Sequence, residues 1–161
     1  MSAGPDLSLP DGASARLRRA APDDLAVLVA MLVDDPVSAA REDDTDLGPY
    51  ASALAEIDLD PHQLLVVAEM DGQVVGMLQL TVIPGLARHG ARRGQLETVR
   101  VAASHRCQGL GTALVTWAAG EARERGCALV QLTSDKHRTD AHRFYDRLGF
   151  DATHEGYKLV F

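Results

Sequence analysis

Arg106-Cys107-Gln108-Gly109-Leu110-Gly111-Thr112 lies between an apolar run, Leu96 to Val101, and a helix-like run, Ala113 to Arg125. A strand that enters a glycine-rich turn and then a helix presents free backbone N–H groups at the positive end of the helix dipole. That end is a site for phosphate. Two nucleotide patterns are excluded by spacing. A P-loop needs Gly-Lys-Ser/Thr, because the lysine reaches the phosphates, and here Gly111 is followed directly by Thr112. A dinucleotide turn needs a third glycine three residues on, and that position is Leu114. What remains is Arg-x-x-Gly-x-Gly at Arg106, Gly109 and Gly111 behind Val99-Arg100-Val101. The second residue with chemistry is Glu97. Strict alternation along Gln95 to Val101 sets it on one face with Val99 and Val101, where a carboxylate is either a satisfied sheet-edge group or one with a raised pKa and a catalytic task.

The elements that position these groups follow from periodicity. Ala15 to Arg18 reads as a short strand, and Pro22-Asp23-Asp24 opens a helix carrying Leu25, Leu28, Val29 and Leu32, which Asp34-Asp35-Pro36 ends. Arg41 to Gly48 is acidic (Glu42, Asp43, Asp44, Asp46), either a solvated loop or a negative rim that draws a cationic substrate, and a helix is predicted from Pro49 to about Asp58. Leu64 to Glu69 and Val74 to Val82 form a hairpin through Asp71-Gly72, both of which tolerate positive φ. Pro84 to Gly94 is a polar break and a predicted surface loop or strand extension. Beyond the glycine turn, Leu110, Ala113, Leu114, Trp117 and Ala118 recur at helical spacing up to Gly126. Ala128 to Thr133 then suits a parallel strand beside Leu96 through a right-handed crossover. Asp140 to Leu148 is a further helix, and Tyr157 to Phe161 the expected last strand.

The 161 residues, 46% apolar, make one domain, expected over residues 15–161 behind a disordered leader at 1–14. A formal charge of -7 argues against a general nucleic-acid partner. The basic residues are nearly all arginine; Lys136 and Lys158 are the two lysines. Arginine's always-charged fork suits phosphate and carboxylate, although a compositional preference explains the bias equally. Cys107 and Cys127 have no metal-ligand spacing, so no metal is expected and a reduced, cytoplasmic protein is the default. No apolar run approaches the roughly 20 residues that span a bilayer, and no membrane partner is expected.

The turn and its flanking strand resemble the GNAT superfamily of N-acyltransferases. A second segment strengthens the resemblance: Leu132-Thr133-Ser134, then Arg138-x-x-Ala141-His142-x-Phe144-Tyr145, then Leu148-Gly149-Phe150. The resemblance covers about residues 15 to 161, and the element order agrees with the family's β-α-α-β-β-β-α-β-α-β plan. It implies an α/β fold with a mixed, mostly antiparallel sheet, a parallel pair splayed around the cofactor, and helices on both faces. It also implies acetyl-CoA as cosubstrate, held by the backbone of Val99 and Val101 along the pantetheine arm and by the N–H groups of Arg106, Cys107, Gln108, Gly109, Leu110, Gly111 and Thr112 around the pyrophosphate. Tyr145 would stand near the thioester sulfur. Arg138 departs from the asparagine that many members carry there. Homodimers are frequent among such proteins, so a homodimer is carried as an expectation.

Acetyl transfer sets two demands. An alkyl amine of pKa about 10.4 is almost wholly protonated at pH 7, and freeing its lone pair costs about 4.6 kcal/mol. Glu97, directly or through a water, is the predicted base, with His89, His137 and His142 as alternatives. The leaving thiolate, comparable to a cysteine of pKa about 8.5, needs only a weak acid, and Tyr145 with a pKa of about 10 suits that step. A backbone N–H of the Leu96 to Val101 strand would meet the oxyanion. The segment Ser134 to Phe150 most resembles members acting on small amines of the aminoalkylphosphonate or aminoglycoside type. Protein or peptide N-acetylation and a non-catalytic acyl-CoA-binding module are the alternatives.

Overall fold

In a computed structural model describing residues 4–37 and 39–161, six strands form one sheet in the order β1-β2-β3-β4-β5-β6. The strands are β1 (Asp6–Ser8), β2 (Ser14–Arg19), β3 (Gln63–Met70), β4 (Gln73–Ile83), β5 (Arg92–Val101) and β6 (Cys127–Leu132). The principal helices are α1 (Leu25–Val33), α2 (Gly48–Leu59), α3 (Leu110–Glu124) and α4 (Thr139–Arg147). Every neighbouring pair is antiparallel except β5 and β6, which are parallel and joined through α3. This is the predicted mixed sheet with its crossover.

Alternation along β4 decides which helix lies on which face. Leu78 and Leu80 point to one side, where they meet Leu96 of β5 and Leu110, Leu114, Val115 and Ala118 of α3. Met77 points to the other and packs with Val67 of β3, Leu28 and Met31 of α1, and Leu54 of α2. Helices therefore cover both faces. Close approach is enforced at Gly94, where a Cβ would lie 3.0 Å from the Ala122 Cβ of α3. The β3–β4 hairpin turns on Asp71 (φ 50) and Gly72 (φ 76), the conformation expected for that dipeptide.

Two expectations change. Residues 6–8, assigned by composition to a disordered leader, pair with β2 as Asp6↔Arg16 to Ser8↔Ser14, and Leu7 and Leu9 are buried. Two apolar side chains in a polar segment are enough to dock it once an open strand edge is available. Met1 to Ala3 of that leader lie outside the described residues. Conversely, Tyr157 to Phe161 forms no strand, and Tyr157, Leu159, Val160 and Phe161 are exposed. Weak alternation marks a face but supplies no ladder partner, and an unpaired strand has little stability in water.

The start of α1 is tied to the sheet by charge. Arg18 of β2 donates to both oxygens of the buried Asp24 at 2.7 and 2.9 Å and to Glu69 of β3 at 3.0 Å, while Asp24 accepts the Ala21 N–H at 2.7 Å. The hydrogen bond from Arg18, opposed by burial, holds the Asp24 carboxyl below its usual range. Asp24→Asn is expected to cost about 2 kcal/mol at neutral pH, less than a fully buried pair because Arg18 keeps some solvent. A carboxyl depressed in the fold contributes stability above its unfolded value of about 3.9, and that contribution is lost as pH falls through the lower folded value. The melting-temperature gap between wild type and variant should therefore narrow as pH falls below about 4; a gap independent of pH would contradict the assignment.

Candidate active site

The glycine turn takes its shape from two left-handed residues, Cys107 (φ 61) and Gly109 (φ 90), the second of which caps α3 at its N-terminus. Glycine is required at the cap for a further reason: a Cβ on Gly109 would lie 2.5 Å from the Pro10 Cδ of the β1–β2 connection. The first N–H groups of an α-helix have no intrahelical acceptor, and no side chain caps this fifteen-residue helix. The amides of Leu110, Gly111 and Thr112 are thus donors at the positive end of the dipole. Arg106 leads into the turn, its Nε donating to the Val101 carbonyl at 3.1 Å and its Nη2 to Asp34 at 2.5 Å. Gln108 donates to the Ser104 carbonyl at 3.0 Å. Both side chains brace the turn.

β5 carries a bulge that alternation did not reveal. Glu97 pairs with Gln79, yet Arg100 pairs with Met77, so three steps on β5 match two on β4; Thr98, at φ 54, absorbs the extra residue. The faces exchange at that point. Val99 and Val101 join Leu96 against the α3-side core, whereas Glu97 and Arg100 lie on the α1 side with Met77 and Gln79. The expectation that Glu97 shares a face with Val99 and Val101 is therefore corrected. Glu97 is exposed, and among the described residues its side chain makes no hydrogen bond or ion pair.

The parallel ladder runs from Arg92↔Cys127 to Leu96↔Leu132 and stops there. Beyond it β5 continues to Val101 on β4 alone, so the parallel pair parts beside the bulge. The Val99 and Val101 carbonyls accept from Arg100 Nη1 (3.0 Å) and Arg106 Nε (3.1 Å), and each retains a second lone pair. Just past β6 the Ser134 Oγ is buried without a hydrogen-bond partner among the described residues. An orphaned hydroxyl and an uncapped helix end are what an extended polar arm joined to a pyrophosphate would satisfy, so these residues fit acetyl-CoA.

Helix α4 closes this region. A Cβ on Gly111 would stand 3.5 Å from the Phe144 ring and 3.8 Å from Val101 Cγ2, which brings the turn, β5 and α4 together. Tyr145 packs edge-on between Phe144 and Phe150, with ring centroids 5.0 and 5.6 Å apart. Burial pushes its hydroxyl above the usual tyrosine value, against the opposing charges of Arg100 and Arg138. Of the histidines, His142 Nε2 is 2.9 Å from the Asp135 carbonyl and the exposed His137 pairs with Asp135, while His89 sits in the left-handed turn at Ala87–Gly90.

Sequence reasoning missed Asp35. This buried residue at the end of α1 binds Arg100 at 2.8 Å and also Arg138, and accepts the Val37 N–H at 3.1 Å. Burial raises its carboxyl, but the Arg138 hydrogen bond, the Val37 amide and both positive charges outweigh that and leave it below the usual value. A signal existed. Two aspartates at a helix C-terminus oppose its dipole, a local conflict that calls for cations from elsewhere.

The parallel strands of the mixed sheet thus part beside an uncapped helix that follows a glycine turn, an arrangement suited to an extended, anionic ligand. The pattern of the Acetyltransferase (GNAT) family matches residues 29–150, and the chain belongs to that family. It is 31% identical over 138 residues, 86% of either chain, to an aminoalkylphosphonate N-acetyltransferase of Salmonella typhimurium (strain LT2). It is 38% identical over 81 residues, 50% of this chain and 53% of the other, to a glucosamine 6-phosphate N-acetyltransferase of Trypanosoma brucei brucei. The structure superposes with a TM-score of 0.87 on a transcriptional regulator from Bacillus halodurans C-125 at 44% identity, covering 91% of this chain and 99% of that one. The protein is an acetyltransferase, and the family implies acetyl-CoA and an acceptor substrate. Among the described residues no group of three or more His, Cys, Asp or Glu could hold a metal ion, and no helix is long and apolar enough to cross a membrane.

Gly109→Ala should cost roughly 1–2 kcal/mol of stability, from the positive φ and the clash with Pro10. It should also abolish most of the rise in melting temperature that saturating acetyl-CoA gives the wild type. An unchanged ligand-induced shift would exclude the turn as the phosphate site.

Proposed function

We propose that the chain transfers an acetyl group from acetyl-CoA to a primary amine of a small molecule, by direct attack in a ternary complex. One observation supports the reading: Phe144 of α4 lies near Gly111 of the turn, which also adjoins Val101 of β5, and the neighbouring Tyr145 is partly buried and close enough to Arg100 of β5 to feel its charge. The two relatives named for small phosphonate- or phosphate-bearing amines support the acceptor class.

In this reading the amides from Arg106 to Thr112 hold the pyrophosphate, and Val99 and Val101 hold the pantetheine arm through their backbone. The amine lone pair attacks the thioester carbon, a backbone N–H of β5 meets the oxyanion, and the C–S bond breaks as the C–N bond is secured. Glu97 takes the amine proton through water; its exposed position on the α1 side favours such a relay over direct contact. Tyr145 gives its proton to the leaving thiolate. A buried phenol with a raised pKa is matched to that task, since it holds its proton at neutral pH while remaining a stronger donor than water.

Tyr145→Phe should lower kcat in a thiol-release assay by roughly 10²-fold or more, with little change in acetyl-CoA affinity. Because the pKa is raised, the wild type should lose activity only above the ordinary tyrosine range, and the variant should lack that alkaline limb. Full turnover in Tyr145→Phe would end the assignment. Glu97→Gln should lower kcat at neutral pH and recover as pH approaches the amine pKa; a constant deficit across pH would exclude the base role. Running small amines beside peptide acceptors separates the proposed class from protein acetylation, and binding of acetyl-CoA without thiol release on either would identify a non-catalytic module.

A further inference from the structure

The two edges of the sheet are finished differently. β1 is three residues long, carries Asp6 and is followed by Pro10, a short and charged edge of the kind that resists pairing with a further strand. β6 has none of these devices. Its sequence, Cys-Ala-Leu-Val-Gln-Leu, holds no charge and no proline, and its outer edge pairs with nothing among the described residues. Leu129, Val130 and Leu132 are apolar, yet no residue of β6 is fully buried, whereas β3 and β4, paired on both edges, contain runs of buried residues. The segment after α4 has the converse character. Gly156 passes the end of β6, where an added Cβ would lie 3.9 Å from Thr133 Cγ2. Beyond it Tyr157, Leu159, Val160 and Phe161 are almost wholly exposed, Leu159 the least at 81%, and their backbone joins no ladder. Such a concentration of large apolar side chains marks an interaction surface. One chain thus carries both an apolar strand edge without a partner and an apolar segment without an edge.

We propose that residues 157–161 of one copy pair antiparallel with the outer edge of β6 in a second copy of this chain, and that the exchange is mutual. The faces of β6 fix the register. Val130 points to the α3 side, its Cγ2 3.4 Å from where a Cβ on Gly94 would stand, and Leu132 packs against the same core, while Gln131 points the other way and binds Gln95. Setting Tyr157 opposite Leu132, Leu159 opposite Val130 and Phe161 opposite Ala128 places the three large side chains on the α3 side, where they extend that core. Lys158 then meets the polar Gln131, and Val160 meets Leu129. A slip of one residue would turn Tyr157, Leu159 and Phe161 to the other face. A second copy is the occupant because the single chain, with Gly156 already at the end of its own β6, leaves both segment and edge open. Each copy holds both halves of the contact, so the exchange closes with two-fold symmetry. The new outermost strand carries Lys158, a charge of the kind that ends a sheet. Tyr157 and Phe161 from both copies would alone bury roughly 600–1,000 Å². With Leu159, Val160 and the covered edges added, the interface reaches the roughly 1,200 Å² that a stable pair needs. Neither half of this contact depends on the acetyl-transfer reading.

Sedimentation of the full chain across micromolar concentrations tests the contact. The wild type should be a dimer whose melting temperature rises with protein concentration. Leu159→Lys, at a position exposed in the single chain, should leave each copy folded and raise the dissociation constant by roughly 100-fold or more. To identify the edge that takes the segment, Val130→Cys and Leu159→Cys are combined with Cys107→Ser and Cys127→Ser, which remove the two native thiols. Mild oxidation should then link two copies through a disulfide. A wild type that is monomeric throughout would overturn the proposal and leave the segment to solvent or to a different protein. A dimer that Leu159→Lys does not weaken would also overturn it, by placing the interface elsewhere. So would the absence of the interchain disulfide, including its replacement by one within a single copy, which would mean that the segment closes on its own β6. None of these measurements uses thiol release, so a failure of acetyl transfer is read separately.

Discussion

Two adjacent carboxylates at the end of α1 hold the functional side of the molecule together. Asp34 takes Arg106 from the glycine turn, and Asp35 takes Arg100 from β5 and Arg138 from α4. Acidic residues at the negative end of a helix dipole are unfavourable alone, by several tenths of a kcal/mol each. They persist because three cations from remote parts of the chain converge on them. The bonds to Arg106 and Arg138 span 72 and 103 positions of sequence, so they exist only once the sheet has formed. Of the two carboxylates Asp35 matters more, since it is buried and its charge must be matched, whereas Asp34 is about half exposed and its bridge is weakened by water.

The bulge at Thr98 gives this arrangement its geometry. Without it, β5 would alternate evenly and Arg100 would fall on the α3 side, away from Asp35. One inserted residue reverses the faces between Glu97 and Arg100, so that Val99 and Val101 turn to the α3-side core while Arg100 reaches α1. The same irregularity lies next to the last parallel pair, Leu96↔Leu132. A single backbone feature therefore separates β5 into a stretch bonded on both edges and a stretch whose outer edge is available to a ligand. Val99 and Arg100 are successive residues whose side chains therefore lie on opposite faces.

What could be read from the sequence divides along the range of the interactions involved. The glycine turn, the Asp71-Gly72 hairpin and the helix carrying Leu110, Leu114 and Ala118 depend on local φ and periodicity, and all three appeared where expected. The parallel pairing of β5 and β6 followed from chirality. Residues 6–8 were missed because composition describes a segment by itself, and Leu7 and Leu9 become buried only against a sheet the segment does not contain. The strand expected at Tyr157 to Phe161 failed for the converse reason, a pattern with no partner. The face of Glu97 was misplaced because alternation assumes no bulge, and Asp35 passed as a helix stop because its partners lie far along the chain.

The distribution of charge fits this division of labour. A protein with a formal charge of -7 repels anions at long range, yet three arginines gather at one end of the sheet, each fixed by an aspartate from α1. Fixing has a cost, because an arginine held by a carboxylate loses considerable side-chain entropy during folding. Lysine would not serve as well, because its ammonium is a point charge and would not present a planar fork to Asp35. The cost is a buried carboxylate and mutual repulsion between Arg100 and Arg138, tolerated because Asp35 lies against both.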